Sequence, residues 1–275
     1  MNIQDKYKQL QRKLKDLQKV VVAYSGGVDS TFLLKAAVDT LGCENVLGCV
    51  GVSPSLSQTQ YKRALEYAEL IGADIKEVKL DELEDTEYSA NNSDRCFHCK
   101  SHLYRTLNKI AEERGFQKVI CGSNFDDLDD YRPGNRAAVD YGVGSPLAEV
   151  EITKPEIRRL SRKLGLPTAD LPASPCLASR ISYGLKVTEK RLRQIEKAED
   201  FLRSLDFVEF RVRHQDITAR IEVNPEDFEK IINDRNRYRI IEKLKALGFK
   251  YVTLDLQGFR SGAMNEVLDT ETVFK

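Results

Sequence analysis

Ala23-Tyr24-Ser25-Gly26-Gly27-Val28-Asp29-Ser30 is the stretch that decides how this chain is read. The apolar run Val20-Val21-Val22 precedes it, and a helical pattern from Thr31 to Val38 follows. A buried strand therefore ends in a loop with two glycines, one acid and two serine hydroxyls. Gly26 and Gly27 are expected to let the backbone turn tightly and to admit a ligand close to it. Amides of the first helical turn point into such a loop, and their partial positive charge favours an anion, typically phosphate. The loop is not a Walker loop, which needs Lys before its Ser/Thr, nor a dinucleotide fingerprint, which needs a third spaced glycine.

Working outward, the pattern alternates strand and helix up to about residue 150. Strands are expected at residues 46–52, 75–80 and 118–121, and helices at 58–71 and 99–114, the last two closed by Gly72 and Gly115. Strands separated by helices imply a parallel sheet covered on both faces, with ligands bound beyond the carboxyl ends of the strands. A short helix from Pro155 to Gly165 follows, then a turn-rich segment holding Pro167, Pro172 and Pro175. Beyond it, a helix at 188–205, strands at 208–213 and 217–223, a helix in two pieces at 227–247 and a strand at 250–256 suggest a small α+β domain with an antiparallel sheet. The expected class is α/β, a doubly wound parallel sheet with a smaller C-terminal α+β domain. The expected boundaries are 1–165 for the nucleotide domain, 166–187 for a linker and 188–275 for the second domain.

Composition sets limits. The 275 residues suffice for two domains, and 43 Lys and Arg balance 43 Asp and Glu. Zero net charge argues against bulk nucleic-acid binding through a basic surface. No apolar run approaches membrane-spanning length, and the polar N-terminus does not read as a signal peptide. A cytoplasmic protein is expected, so the six cysteines are thiols or metal ligands.

Cys96-Phe97-His98-Cys99 sets two thiols three residues apart at a helix start, where the helix dipole favours thiolates. Cys176 stands far away, in Ser174-Pro175-Cys176-Leu177-Ala178-Ser179-Arg180. Cys43, Cys49 and Cys121 lie in or beside apolar strand patterns and read as small buried hydrophobes. Spacing alone leaves four options for the other three: a redox pair, a zinc site completed by His98 or His102, an iron–sulfur cluster with one open iron position, or structural thiols that hold no metal.

With both constellations in view, the chain resembles the LarE family of ATP-dependent sulfur transferases within the PP-loop ATP pyrophosphatases. Several stretches carry the resemblance: Ser25 to Ser30, Asp130-Tyr131-Arg132-Pro133-Gly134, Cys176, Arg211-Val212-Arg213, Asn233-Asp234-Arg235, and the run from Tyr251 to Gly262. It implies a reaction in which ATP adenylates a carboxylate of pyridinium-3,5-biscarboxylic acid mononucleotide, pyrophosphate leaves, and a sulfur nucleophile displaces AMP. Some members sacrifice one cysteine, matching Cys176. Others carry the Cys-x-x-Cys plus Cys pattern and hold a 4Fe-4S cluster. The presence of Cys96, Cys99 and Cys176 places this chain with the cluster type.

The residues assigned on these grounds are as follows. Ser25, Gly26, Gly27, Asp29 and Ser30 are expected to hold ATP, with Asp29 also on Mg²⁺ and Asp126 or Asp127, after strand four, as a second carboxylate. Arg211 and Arg213, two apart on a strand and so on one face, are expected to bind the anionic mononucleotide, with Arg180 and Arg260 completing the pocket and Asp234 orienting an arginine. Glu199, on a charge-rich helix, reads as solvent-facing. The expected partner is a small molecule, with neither membrane nor nucleic acid, in a homo-oligomer. The chief rival is a PP-loop tRNA thiolation enzyme, which needs a strongly basic surface. Amidating synthetases share the loop but have no use for the three cysteines, and a non-catalytic nucleotide sensor would leave cysteines and arginines idle.

Overall fold

The computed structural model describes residues 2–128, 133–260 and 262–267. Its helices and strands run α1 (Ile3–Leu17), β1 (Val20–Tyr24), α2 (Val28–Leu41), β2 (Val46–Val52), α3 (Gln58–Ile71), β3 (Asp74–Lys79), α4 (Thr86–Ala90), α5 (Arg95–Arg114), β4 (Lys118–Cys121), α6 (Pro133–Asp140), α7 (Pro146–Glu149), α8 (Lys154–Lys163), α9 (Glu189–Arg203), β5 (Phe210–Gln215), β6 (Thr218–Val223), α10 (Phe228–Ile232), α11 (Asp234–Ala246) and β7 (Tyr251–Leu254).

The chain divides into two units, residues 1–82 with 94–174, and residues 83–93 with 175–275. Two sets of hydrogen bonds account for boundaries that differ from 165 and 187. The turn-rich segment up to Ser174 stays with the first unit, because Arg158 donates to the carbonyls of Ala169 (2.6 Å) and Leu171 (2.8 Å), and Gln60 donates to that of Ser174 (2.6 Å). The excursion around α4 goes with the second unit, because the buried Asn91 amide donates to the carbonyls of Ser182 (2.8 Å) and Leu185 (3.0 Å).

In the first unit four parallel strands stand in the order β3-β2-β1-β4. All five residues of β1 are buried, since side chains alternate between two covered faces. Val20, Val22 and Tyr24 pack with Leu10, Leu14, Phe32, Ile157 and Leu160 of α1, α2 and α8. Val21 and Ala23 pack with Tyr104, Leu107 and Ile110 of α5. This is the α/β fold of the PP-loop nucleotide hydrolases. β1 leads to β2 on one side and pairs with β4 on the other, so the strand order reverses at β1. The crevice beyond the carboxyl ends of β1 and β4 is where such sheets take a ligand.

The second unit holds a three-stranded sheet, β5-β6-β7. β5 and β6 pair antiparallel, as expected, but β7 runs parallel to β6. The chain between β6 and β7 is the helical crossover α10–α11, and a helical crossover returns a strand parallel to its predecessor. Phe210, Val212, Ala219, Ile221 and Val223 form the core of this unit with Ala198 and Leu202 of α9 and Ile240 and Leu244 of α11.

Candidate functional site

The loop after β1 is built from backbone constraints. Gly26 has φ +71°, and a Cβ placed on it would lie 2.7 Å from the Ala64 Cβ of α3. Gly26 is thus required by left-handed backbone and by helix contact together. Gly27 differs: it is the N-cap of α2 with φ −79°, and a Cβ there would meet only the Ser25 hydroxyl, at 3.5 Å. Gly122, after β4, carries a third constraint, since a Cβ would lie 2.9 Å from the Ser30 nitrogen. The end of β4 therefore rests directly on the first turn of α2. The Ser30 Oγ accepts from the Ser25 N–H at 3.2 Å and lies 3.0 Å from the Ser25 Oγ, closing the loop on itself. The N-cap of α2 is Gly27, which has no side chain to cap the helix, so the first-turn amides face the loop as such amides do in an anion site.

A cation already stands at this site. Lys154 Nζ donates to Asp29 Oδ2 at 2.5 Å, with both side chains partly exposed. The backbone N–H of Lys154 donates to Asp126 Oδ2 at 2.8 Å. Lys154, the first residue of α8, thus ties together the two carboxylates singled out for metal binding. Asp126 is exposed, whereas Asp127 is buried and its Oδ2 accepts from the Asn124 backbone and side-chain N–H groups at 3.1 and 3.0 Å. Sequence reasoning missed Lys154. The visible signal was Thr153-Lys154-Pro155-Glu156, in which the Glu156 carboxylate accepts from the Thr153 N–H at 2.9 Å and starts the helix on that lysine.

Cys96 lies in the first turn of α5 and is exposed; Cys99 begins the second turn and is half-buried. The Cys99 thiol donates to the buried Glu82 carboxylate, at 3.6 Å to Oε2, whose other oxygen accepts from Ser53 at 2.7 Å. The neighbouring Lys100 ammonium lies 5.5 Å from the centre of the Tyr104 ring; Tyr104 and the thiols of Cys121, Cys99 and Cys96 push its pKa up against the effect of burial. Two thiols three residues apart beside a cation are apt donors for a thiophilic metal group, and they supply part of the set that such a group needs. The third cysteine, Cys176, belongs to the second unit. Among the described residues, no three His, Cys, Asp or Glu side chains are grouped so as to hold a metal ion.

The other cysteines divide differently from the expectation. Cys49 and Cys121 are buried, but Cys43 is exposed, because Gly42 ends α2 just before it and a 3-10 turn carries it outward. Cys121 is more than a small hydrophobe. Burial alone would raise its thiol pKa, yet hydrogen bonds from Ser123 and Ser145 and the charge of Lys100 outweigh that and lower it.

In the second unit Arg211 and Arg213 do share one face of β5, opposite Glu222 and Arg220 of β6. Both are buried. Arg213 donates from Nε and Nη2 to both oxygens of the fully buried Glu222, at 2.9 and 2.7 Å. Arg220 donates to the same carboxylate at 3.0 Å. Arg211 stacks on the Phe259 ring at 4.9 Å and donates to the Phe210 carbonyl. Burial first, and the neighbouring Arg180 and Arg213 charges next, pull its pKa down to about 10. Positive charge is thus crowded on this face.

Three expected members of the pocket have other partners. Arg180 is buried in an ion pair with Glu199, so Glu199 faces inward and not to solvent. Asp234 begins α11 and pairs with Arg237 at 2.7 Å, away from the β5 arginines. Arg260 donates to Glu266 at 3.0 Å. Asp130, Tyr131, Arg132 and Ser261 lie outside the described residues.

The chain matches the NAD synthase family model over residues 2–118. The chain is 42% identical to the pyridinium-3,5-bisthiocarboxylic acid mononucleotide synthase of Lactiplantibacillus plantarum, over 93% of this chain and 92% of that one. The chain belongs to the LarE family. An uncharacterized protein of Synechocystis sp. is also 42% identical, over 97% of this chain and 99% of its own. A probable tRNA sulfurtransferase of Methanothermobacter thermautotrophicus is more distant, 26% identical over 66% of this chain and 52% of its own. LarE proteins are PP-loop ATP-dependent sulfurtransferases. Among the described residues no helix is long and apolar enough to cross a membrane.

Proposed function

We propose that this LarE chain adenylates the carboxylates of pyridinium-3,5-biscarboxylic acid mononucleotide and converts them to thiocarboxylates, a step towards the nickel-pincer nucleotide of lactate racemase. The observation that carries this reading is 42% identity over 259 residues with a relative named for the bisthiocarboxylic product. The chemistry of the site supports it. A carboxylate resists a sulfur nucleophile until its oxygen becomes a good leaving group. Its attack on the α-phosphorus of ATP releases pyrophosphate and gives an acyl adenylate; sulfur then bonds to the acyl carbon, the C–O bond breaks, and AMP departs.

In this reading the loop from Ser25 to Ser30 holds the ATP phosphates on the first-turn amides of α2. Asp29 and Asp126 would hold Mg²⁺, which offsets phosphate charge. Lys154 would then exchange Asp29 for a phosphate oxygen, so that one cation replaces another on that carboxylate. Arg211 and Arg213 would hold the phosphate and spare carboxylate of the mononucleotide, Arg213 through the N–H groups that its pair with Glu222 does not take. Cys96, Cys99 and Cys176 would hold a 4Fe-4S cluster, which when bound supplies an exchangeable sulfide as the sulfur nucleophile. The tRNA thiolation reading is weaker, because the relatives of that name match over a smaller share of the chain and the net charge is zero.

The test is turnover of anaerobically purified protein with ATP and the mononucleotide, followed by mass spectrometry of product and protein and by iron and zinc analysis. The wild type is expected to release pyrophosphate and form thiocarboxylate. Asp29→Ala should slow pyrophosphate release by about two to three orders of magnitude. Cys176→Ala should keep pyrophosphate release and lose sulfur transfer. Iron with an intact Cys176 after turnover supports the cluster. Dehydroalanine at position 176 refutes it and makes the cysteine sulfur the donor. No adenylation of the mononucleotide by the wild type sinks the whole reading.

A further inference from the structure

We propose that Arg180 is the positioning residue of Cys176, fixing the peptide that carries the thiol, and is not a substrate ligand. The proposal rests on the reading of Cys176 as the cysteine that handles sulfur. Arg180 Nη1 donates to the carbonyls of Pro175 at 2.6 Å and Cys176 at 3.1 Å, and contacts the Ser179 Oγ at 3.0 Å. Its other edge donates to Glu199, Nε to Oε1 at 2.9 Å and Nη2 to Oε2 at 3.2 Å. The contacts engage all three guanidinium nitrogens: Nη1 shares its two N–H groups among three acceptors, while Nε and Nη2 hold Glu199. The side chain is 4% exposed. A ligand phosphate or carboxylate could bind it only by displacing these partners.

The clamp is anchored at both ends. The Cys176 carbonyl also accepts from the Ser179 backbone N–H at 3.0 Å and the Ser179 hydroxyl at 2.8 Å. Glu199 Oε1, besides holding Arg180, accepts from the Val212 N–H at 3.2 Å. Val212 lies between Arg211 and Arg213 on β5. A continuous set of buried polar contacts therefore runs from the Cys176 peptide through Arg180 and Glu199 to the strand that bears the two arginines. Such a strut sets where the thiol stands relative to that strand, and displacement of a reacting group by about 1 Å can cost about a hundredfold in rate. Lysine cannot substitute, because a single ammonium cannot bridge a carboxylate and two carbonyls in the geometry of a planar fork.

The experiment compares the full-length wild type with Arg180→Lys and the isosteric Glu199→Gln, each checked for folding by its melting curve. The first readout is alkylation of Cys176 by iodoacetamide in reductant-treated protein, followed by peptide mass spectrometry, with exposed Cys43 as internal reference. It needs no ATP, mononucleotide or cluster, so it is independent of the functional reading. The second readout sets mononucleotide affinity and pyrophosphate release against sulfur transfer. Freed from the clamp, Cys176 should be alkylated several-fold faster relative to Cys43. Sulfur transfer should fall by about tenfold or more, with mononucleotide affinity and pyrophosphate release near wild type. Unchanged alkylation of Cys176 in the folded variants overturns the proposal. So does a loss of mononucleotide affinity that matches the loss of transfer, which would make Arg180 a substrate ligand. Glu199→Gln decides alone if Arg180→Lys does not fold. Undiminished transfer by Cys176→Ala defeats the functional reading and leaves the alkylation result standing.

Discussion

The loop after β1 and the arginine face of β5 both serve anions in the reading above, yet they are made in opposite ways. The loop is backbone: glycines, uncapped amides and a helix end, with the Asp29–Lys154 pair partly open to solvent. The β5 face is side chains, and charge there is spent inside the protein, Arg213 on Glu222, as is that of Arg180 beside it, on Glu199. A backbone site can exist empty at little cost, because amides at a helix end can turn to water. Buried guanidinium groups cannot, since an unpaired buried charge costs several kcal/mol, so the sequence must supply carboxylates for them. Arg211, stacked on Phe259, is where burial and the neighbouring like charges of Arg180 and Arg213 lower a pKa on that face, to about 10.

The contrast breaks most visibly at Arg213. Arg213→Ala leaves Glu222, which is fully buried, with Arg220 as its remaining guanidinium partner. Losing one member of a buried pair costs about 3–5 kcal/mol, so urea unfolding should show a loss of that order. The same variant should weaken the mononucleotide and leave ATP affinity near normal. Loss of ATP affinity with stability unchanged would mean that the β5 face serves the nucleotide and that its pairing is not structural.

How much of this was legible follows the same division. The run from Val20 to Tyr24, apolar at every position, announced a strand covered on both faces, and the glycine turn after it was legible from local residues. Lys154 did not show, because it lies 125 positions from Asp29 and only the fold brings the two together. Arg211 and Arg213 were readable as a pair by their spacing. Their carboxylates were not: Glu222 sits in an alternating strand and Glu199 on a charge-rich helix, where local pattern favours solvent. The direction of β7 was legible but misread: the helix expected at 227–247 makes the connection from β6 a crossover, which returns a strand parallel to its predecessor. At Gly26 the residue was read correctly but its reason was incomplete, as contact with Ala64 belongs to the tertiary fold.

The opposite face of β5 sharpens the point about unpaired charge. His214 is buried there, 5.0 Å from the Phe249 ring, with Nε2 at 3.2 Å from the Gln194 carbonyl oxygen. Burial first and the Arg191 charge second lower its pKa from 6.5 to about 4, against a smaller opposing effect of Asp216. The unfolded chain therefore takes up this proton below about pH 6.5, whereas the folded chain resists until about pH 4. Between those values the unfolded state binds more protons, so stability rises with pH across that window and gains nothing further above it. The contribution is at most about 3 kcal/mol. Stability curves of wild type and His214→Gln should converge as pH falls from 6.5 to 4; parallel curves would show that His214 is protonated in the fold.

The smallest expected change in stability tests the loop and separates its two glycines. Gly26→Ala adds a Cβ 2.7 Å from Ala64 Cβ and 2.8 Å from its Cα, at a φ of +71°. Backbone strain of this kind costs about 1–3 kcal/mol, and the contact with α3 adds to it. Gly27→Ala meets no such obstacle: φ is already −79°, and the added methyl lies at ordinary contact distance from one hydroxyl. It should shift stability by no more than about 0.5 kcal/mol. The loop surface at Gly27 is exposed, beside the amides proposed to hold phosphate, so a methyl there intrudes on the anion and not on the protein. Titration with ATP should then show affinity reduced about tenfold, equivalent to about 1.4 kcal/mol. The two variants thus predict opposite signatures, a lower melting temperature for one and weaker nucleotide binding at constant melting temperature for the other. Wild-type ATP affinity in a well-folded Gly27→Ala protein would place the phosphates elsewhere than on the start of α2.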